Sequence, residues 1–252
     1  MIGPDLPTID EPHHVVAAET TVQLGPIARM WTATGGDVSQ LRVDRLPISS
    51  TSLWTRSADP HAREVPLQLH FEVKAALGFG HAVIAAHRTA VTRPTRVGDR
   101  VGHHQVLRSI GPERMTALGW GRSWDVDHVL TDADGETLQI ETFSAVGYRP
   151  GSATSGQPRL APAAVVPAGS DVATGWTGHR IRAAAAACRV WAPVHHDPVA
   201  ARRAGLPGVI ACTQHLVAIA EQARLRCTDA VCGVRVLEVR MGQPMVALRE
   251  AS

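Results

Sequence analysis

From His81 to Tyr148 the chain is a succession of extended apolar runs cut by turn residues. His81–Arg93 is rich in Val, Ile, Ala and Thr and stops at Pro94. Val97-Gly98-Asp99 turns into Arg100–Ile110, and Gly111-Pro112 makes the next break before Met115–Leu130. Asp132-Ala133-Asp134-Gly135 is a strong hairpin signal leading into Leu138–Tyr148. Four extended runs separated by three hairpin-like breaks predict an antiparallel meander. Upstream, Val65, Leu67, Leu69, Phe71 and Val73 alternate with polar or breaker residues, a period of two that argues for a strand. Ile27–Thr34 predicts a short helix ended by Gly35-Gly36.

Residues 150–172 are almost entirely Pro, Gly, Ser, Ala, Thr and Val, the composition of a linker. The predicted organisation is therefore a first unit at 1–149, a linker at 150–172 and a second unit at 173–252. The second opens with an extended run near Thr174–His179 and an alanine-rich helix around Ile181–Cys188. His196-Asp197-Pro198 starts another helix, since Asp197 can cap it and Pro198 suits its first turn; Val199–Ala204 continues it to Gly205. Val209, Ile210, Thr213, Leu216, Val217, Ala220 and Ala223 recur at helical spacing and predict the longest helix, Val209–Arg226. Strands at Val231–Arg240 and Met245–Leu248 follow, joined by Gly242-Gln243-Pro244.

Composition narrows the class without giving the chemistry. The chain has 252 residues, 44% of them apolar, and a formal net charge of +2 with no long run of one sign, so nothing suggests nucleic acid. Lys74 is the only lysine, and there is no asparagine to serve in catalysis. Cys188, Cys212, Cys227 and Cys232 do not have zinc-ligand spacing, and free thiols in a cytoplasmic protein are the simplest reading. The first residues lack the basic start and apolar core of a signal peptide, and no stretch approaches a membrane span. His103-His104 and His195-His196 come with no metal-binding motif, so neither metal nor cofactor is expected.

Pro193-Val194-His195-His196-Asp197-Pro198, followed by Ala200 and Ala204-Gly205-Leu206-Pro207-Gly208-Val209-Ile210, resembles the signature of MaoC-like (R)-specific enoyl-thioester hydratases and dehydratases. In that family the run is Asp-x-Asn-Pro-aliphatic-His-x-Asp, then a short helix, Gly-x-Pro-Gly and a long central helix. Arg93–Val101, Leu118–Gly121, Asp134-Gly135-Glu136 and Tyr148-Arg149-Pro150 are similar to the family's degenerate N-terminal repeat. The resemblance implies an α+β double hot dog fold: two antiparallel sheets, each wrapping a central helix. The second copy is shortened at the C-terminus, because only about 25 residues follow the predicted central helix. It also implies a helix near Val65–Val73, against the period-two pattern. A short second sheet leaves an edge to be covered, so a homodimer, or a hetero-oligomer with another hot dog protein, is expected.

The implied chemistry uses a carboxylate and a histidine as acid and base, with backbone N–H groups at the central helix for the thioester oxygen. His195 keeps the histidine, and Gly208 keeps the helix-start glycine. Val190 stands at the aspartate position and Ala192 at the asparagine. The candidate catalytic residues are His195 and His196; Val190, Trp191, Gly208, Val209, Thr213 and Trp120 are candidates to contact substrate. Asp197 is assigned to helix capping and His215 to the core. The expected function is hydration or dehydration of an enoyl or 3-hydroxyacyl thioester, bound to CoA or an acyl carrier protein, with a polyketide-derived acyl group as one option. The alternatives are a ring-closing cyclase or isomerase using the same pocket, and a non-catalytic subunit of a hetero-oligomeric hydratase.

Overall fold

Branched and aromatic side chains alternating along the first half build a single antiparallel sheet. The computed structural model describes residues 5–61, 67–116, 119–149, 177–203, 206, 208–227 and 236–240. The strands are β1 (Pro12–Thr21), β2 (His81–Val91), β3 (Arg100–Ile110), β4 (Arg114–Thr116), β5 (Gly119–Thr131), β6 (Thr137–Arg149) and β7 (Val236–Arg240). Their order is β1-β3-β5-β6-β2-β7, with β4 folded onto the start of β5. The linker at 150–172, residues 231–235 and Met245–Leu248 lie outside the described residues.

The expected meander holds for β3, β5 and β6 but not for the first run. β2 pairs with β6, from His81 opposite Tyr148 to Val91 opposite Gln139, and not with β3. The cause lies in the connection. Thr92 and Arg93 both donate to the Leu138 carbonyl, which holds the chain at the end of the β5–β6 hairpin. Pro94 has no N–H with which to continue a ladder. The Arg93 guanidinium then reaches Asp99 at 3.2 Å and Asp132 at 3.4 Å, so the chain crosses the hairpin end and leaves on its far side. Met115–Leu130 is likewise two strands, β4 and β5, and not one.

Among the described residues five helices form: α1 (Leu24–Ala33), α2 (Gln68–Ala76), α3 (Gly178–Ala187), α4 (Pro198–Arg203) and α5 (Thr213–Cys227), of which α1, α2 and α5 pack on the sheet. The period-two stretch around Val73 is helical. Leu69 and Val73, four apart, are buried while Phe71 is exposed, and the Leu69 N–H is capped by the Gln105 side chain at 3.1 Å. The run at Thr174–His179 is not a strand through to its end, because Thr177 accepts from the Arg180 N–H at 3.3 Å and α3 begins at Gly178. Asp197 caps α4 by accepting from the Val199 N–H at 2.7 Å.

Two apolar clusters form. Leu69, Val73 and Phe79 pack on Leu107, Trp124 and Val126 of the sheet. Ile27, Met30 and Trp31 of α1 pack with Leu53, Ala185, Val190 and Cys212 against Leu130 and Leu138. Helix α5 is fixed by two polar side chains. Glu221 accepts from the backbone N–H groups of Ile48 at 2.8 Å and Ser49 at 3.1 Å and from the Ser49 hydroxyl, and Gln222 donates to Thr34 Oγ1 at 2.8 Å. These bonds hold the short 3-10 helix Ile48–Leu53 between α5 and the sheet, where Gln139 Nε2 donates to the Ile48 carbonyl at 3.0 Å. Among the described residues no helix is long and apolar enough to cross a membrane.

Candidate functional site

The segment leaving the 3-10 helix, the loop after α3 and the approach to α5 meet at one place. Arg189 adopts φ +54°, and its guanidinium donates to the carbonyls of Leu53 and Arg56, the latter at 3.1 Å. The Trp191 indole N–H donates to the Ser57 carbonyl at 3.1 Å. The loop 189–196 is thereby held along residues 53–57.

The predicted long helix starts at Thr213, four residues later than its apolar spacing suggests. The intervening backbone groups are used elsewhere: the Ile210 N–H donates to the Val194 carbonyl at 3.3 Å, and His195 Nδ1 donates to the Ile210 carbonyl at 2.9 Å. This clip fixes the His195 tautomer. With the proton on Nδ1, Nε2 carries the lone pair, and it has no hydrogen-bond partner among the described residues. Burial brings the ring down to about 4, against a smaller opposing effect of the Ile210 hydrogen bond. His195 is therefore neutral near pH 7, with a free acceptor nitrogen.

His196 is occupied differently. Its Nε2 donates to the Val190 carbonyl at 2.6 Å, and its ring stacks on Trp191 with centroids 5.9 Å apart. It braces the loop, and the structure brings no second free imidazole to His195 from this position. Val190 is 6% exposed and belongs to the core, which explains why a valine can stand there and a carboxylate would be unpaired. Val209 is buried, Gly208 half-buried at the bend before it, and Thr213 opens α5. Trp120 does not join these residues: it is 52% exposed on β5, opposite Met115 and Arg149. Trp124, on the same strand face, is fully buried in the other apolar cluster.

Cys188 and Cys212 lie beneath the loop as buried free thiols. Their mutual hydrogen bond pushes Cys188 up and Cys212 down; the His215 backbone N–H and the Arg56 charge also lower Cys212. His215 is buried on α5, and burial brings it to about 4.

Sequence reasoning missed the polar half of this region. Strand register sets Thr89, Glu141, His128 and Gln105 in a row across the helix-covered face of β2, β6, β5 and β3. All four are buried. Glu141 lies 3.3 Å from His87 Nε2 and 3.8 Å from His128 Nδ1, and His128 Nε2 lies 3.1 Å from His103 Nδ1. Burial raises the Glu141 carboxyl, but hydrogen bonds and charge from His128 and His87 outweigh it and bring it to about 2. Burial lowers the Arg56 guanidinium, and the charge of Glu141 opposes that. Among the described residues no three His, Cys, Asp or Glu side chains converge as metal ligands.

No family model matches the chain, and no curated protein does. Solved structures do. HtdX from Mycobacterium tuberculosis superimposes with a TM-score of 0.58 at 21% identity, over 92% of this chain and 85% of that one. A MaoC-like dehydratase gives 0.65 at 17% identity, over 94% and 82%, and the MaoC-like dehydratase from Phytophthora capsici gives 0.64 at 14%, over 95% and 84%. The chain has the α+β double hot dog fold of the MaoC-like dehydratases.

Proposed function

We propose that the chain is a hydro-lyase-type enzyme that removes water from a 3-hydroxyacyl thioester, or adds it to the enoyl thioester, with His195 as acid and base. The observation that carries this reading is the Ile210 carbonyl on Nδ1, which leaves a neutral imidazole with its Nε2 lone pair available. Nε2 takes the proton from the carbon next to the thioester carbonyl, and the C–H electron pair moves toward the carbonyl oxygen. The pair then returns to form the C2–C3 double bond as the hydroxyl leaves, protonated by the imidazolium. One group serves both steps, so the valine at 190 does not stop the reaction. Helix α5 begins at Thr213, three residues after the Ile210 carbonyl that holds His195. In this reading residues 1–149 and 173–252 are the two hot dog copies and the second carries the chemistry; the substrate is carried by CoA or an acyl carrier protein.

A second reading, a double-bond isomerase or ring-closing cyclase on a polyketide-like thioester, is favoured by the burial of Val190. An apolar wall beside one histidine suits a reaction that needs shape and a proton shuttle more than an activated water. Strand β7 closes one end of the described sheet, and we propose that a second copy or another hot dog protein covers the C-terminal half.

The test is turnover of short 3-hydroxyacyl and enoyl thioesters by the wild type and by His195→Ala. The reading expects a loss of about 10²-fold or more with the fold intact. Equal turnover by both proteins overturns His195 as the acid/base. No turnover or cyclisation by either leaves a non-catalytic subunit.

A further inference from the structure

Helix α3 ends in a motif that ordinarily takes glycine. The Arg189 N–H donates to the Ala186 carbonyl at 3.0 Å and the Val190 N–H to the Ala185 carbonyl at 2.9 Å, with Arg189 at φ +54°. This is the left-handed region, where glycine is free of strain and a residue with a side chain is not. The position nevertheless carries the guanidinium that donates to the Leu53 and Arg56 carbonyls. Backbone strain of this kind persists where the surroundings require the side chain. What this side chain holds is the loop that leads to His195.

His195 and the carbonyl that fixes its tautomer ride on different parts of the second half. The His195 backbone belongs to the loop 189–196, which Arg189 and the Trp191 indole tie to the carbonyls of Leu53, Arg56 and Ser57. Ile210, whose carbonyl accepts from Nδ1 at 2.9 Å, belongs to the approach to α5. Helix α5 is tied to the same stretch of the first half, because Glu221 accepts from the Ile48 and Ser49 N–H groups at 2.8 and 3.1 Å. Gln139 Nε2 fixes that stretch to the sheet through the Ile48 carbonyl at 3.0 Å. The segment 48–57 is therefore the common reference for the ring and for its acceptor. Between the two, the Ile210 N–H reaches the Val194 carbonyl at 3.3 Å, the longest of these bonds. A drift of about 0.7 Å between loop and α5 would take the Nδ1 bond to ~3.6 Å, where it no longer holds the proton. An imidazole without that acceptor is free to take the other tautomer.

We propose that Arg189 is a positioning residue for His195: by pinning the loop to the segment 48–57 it keeps the imidazole on the Ile210 carbonyl, and so keeps Nε2 unprotonated and available. The first half then does more than share a sheet with the second. It sets which nitrogen of the base carries the proton. The inference rests on the reading of His195 as acid and base, but its first readout needs no substrate.

The experiment is nitrogen NMR of protein carrying isotope-labelled histidine, with the His195 signals identified by their loss in His195→Ala. Wild-type protein at neutral pH should show His195 protonated at Nδ1 and bare at Nε2. Arg189→Gly gives α3 the residue its ending favours, so the chain should fold cooperatively. Its His195 should nevertheless move to a mixture of tautomers, and kcat for dehydration should fall about 10²-fold with a smaller change in KM. Arg189→Lys keeps the charge but not the planar fork that serves two carbonyls, and should fall between. Trp191→Phe loses the bond to Ser57 and keeps the stack on His196, so it should shift both readouts the same way and by less. A merely structural arginine would lower the melting temperature and leave the tautomer alone. An unchanged tautomer in Arg189→Gly overturns the proposal, whether or not kcat falls. If that variant does not fold, an unchanged tautomer in both Arg189→Lys and Trp191→Phe overturns it. A shifted tautomer with unchanged kcat supports the placement of His195 by Arg189 and overturns His195 as the acid and base.

Discussion

Val190→Asp restores a carboxylate five residues before His195, and the structure predicts that it does harm. Val190 is 6% exposed and packs with Leu53, Cys188 and Cys212. Losing that burial costs about 1.5–3 kcal/mol, and an unpaired carboxyl there costs about 1–3 kcal/mol more. The sum, about 2.5–6 kcal/mol, is a large share of the ~5–15 kcal/mol that holds a typical domain together. Local partners are already committed: the Val190 N–H donates to Ala185, its carbonyl accepts from His196, and the Arg189 guanidinium serves the Leu53 and Arg56 carbonyls. The assay is urea unfolding together with hydration of crotonyl-pantetheine. An unchanged unfolding midpoint with hydration raised tenfold or more would refute both the burial argument and the single-base mechanism.

Acid should loosen the fold in a defined window. Burial holds His70, His103, His195 and His215 each at about 4, below the ordinary 6.5, so the folded chain binds fewer protons than the unfolded one between those values. Stability present above pH 6.5 is lost as pH falls toward 4, and Glu141, at about 2, extends the loss from 4.5 downward. A melting temperature that stays constant from pH 7 to 4.5 would contradict this. Glu221→Ala removes the acceptor for the Ile48 and Ser49 N–H groups and the Ser49 hydroxyl. It should cost about 2–4 kcal/mol in chemical denaturation, chiefly from the two backbone N–H donors left unpaired; a cost under about 0.5 kcal/mol would show that they find other partners. Light scattering at micromolar concentration should give more than one chain mass, and a single-chain mass would remove the proposed covering of the C-terminal half.

Fold class was legible because its signals were local. Asp132–Gly135 and the β-branched runs place β5 and β6, and the stretch from Pro193 to Gly208 carries the resemblance. The position of β2 was not legible, since its partner is set by Arg93 reaching Asp99 and Asp132 and not by the turn that follows it. The α5 boundary failed for a related reason. Val209 and Ile210 are apolar at helical spacing, but the Ile210 backbone is bonded to Val194 and His195. Of the site, His195 was visible from its motif. Glu141 was hidden because the more apolar positions of β6, Ile140 and Val146, alternate with it and suggest the opposite face as the interior.

Proton removal beside the thioester is common to dehydration, isomerisation and cyclisation, so it tests the account ahead of any choice among them. The measurement is deuterium incorporation at C2 of 3-hydroxybutyryl-pantetheine in D2O, followed by mass spectrometry, with wild-type protein and His195→Ala. The account predicts exchange catalysed by the wild type and a loss of about 10²-fold or more in the variant. Exchange at the same rate in both proteins, above the uncatalysed background, would contradict it.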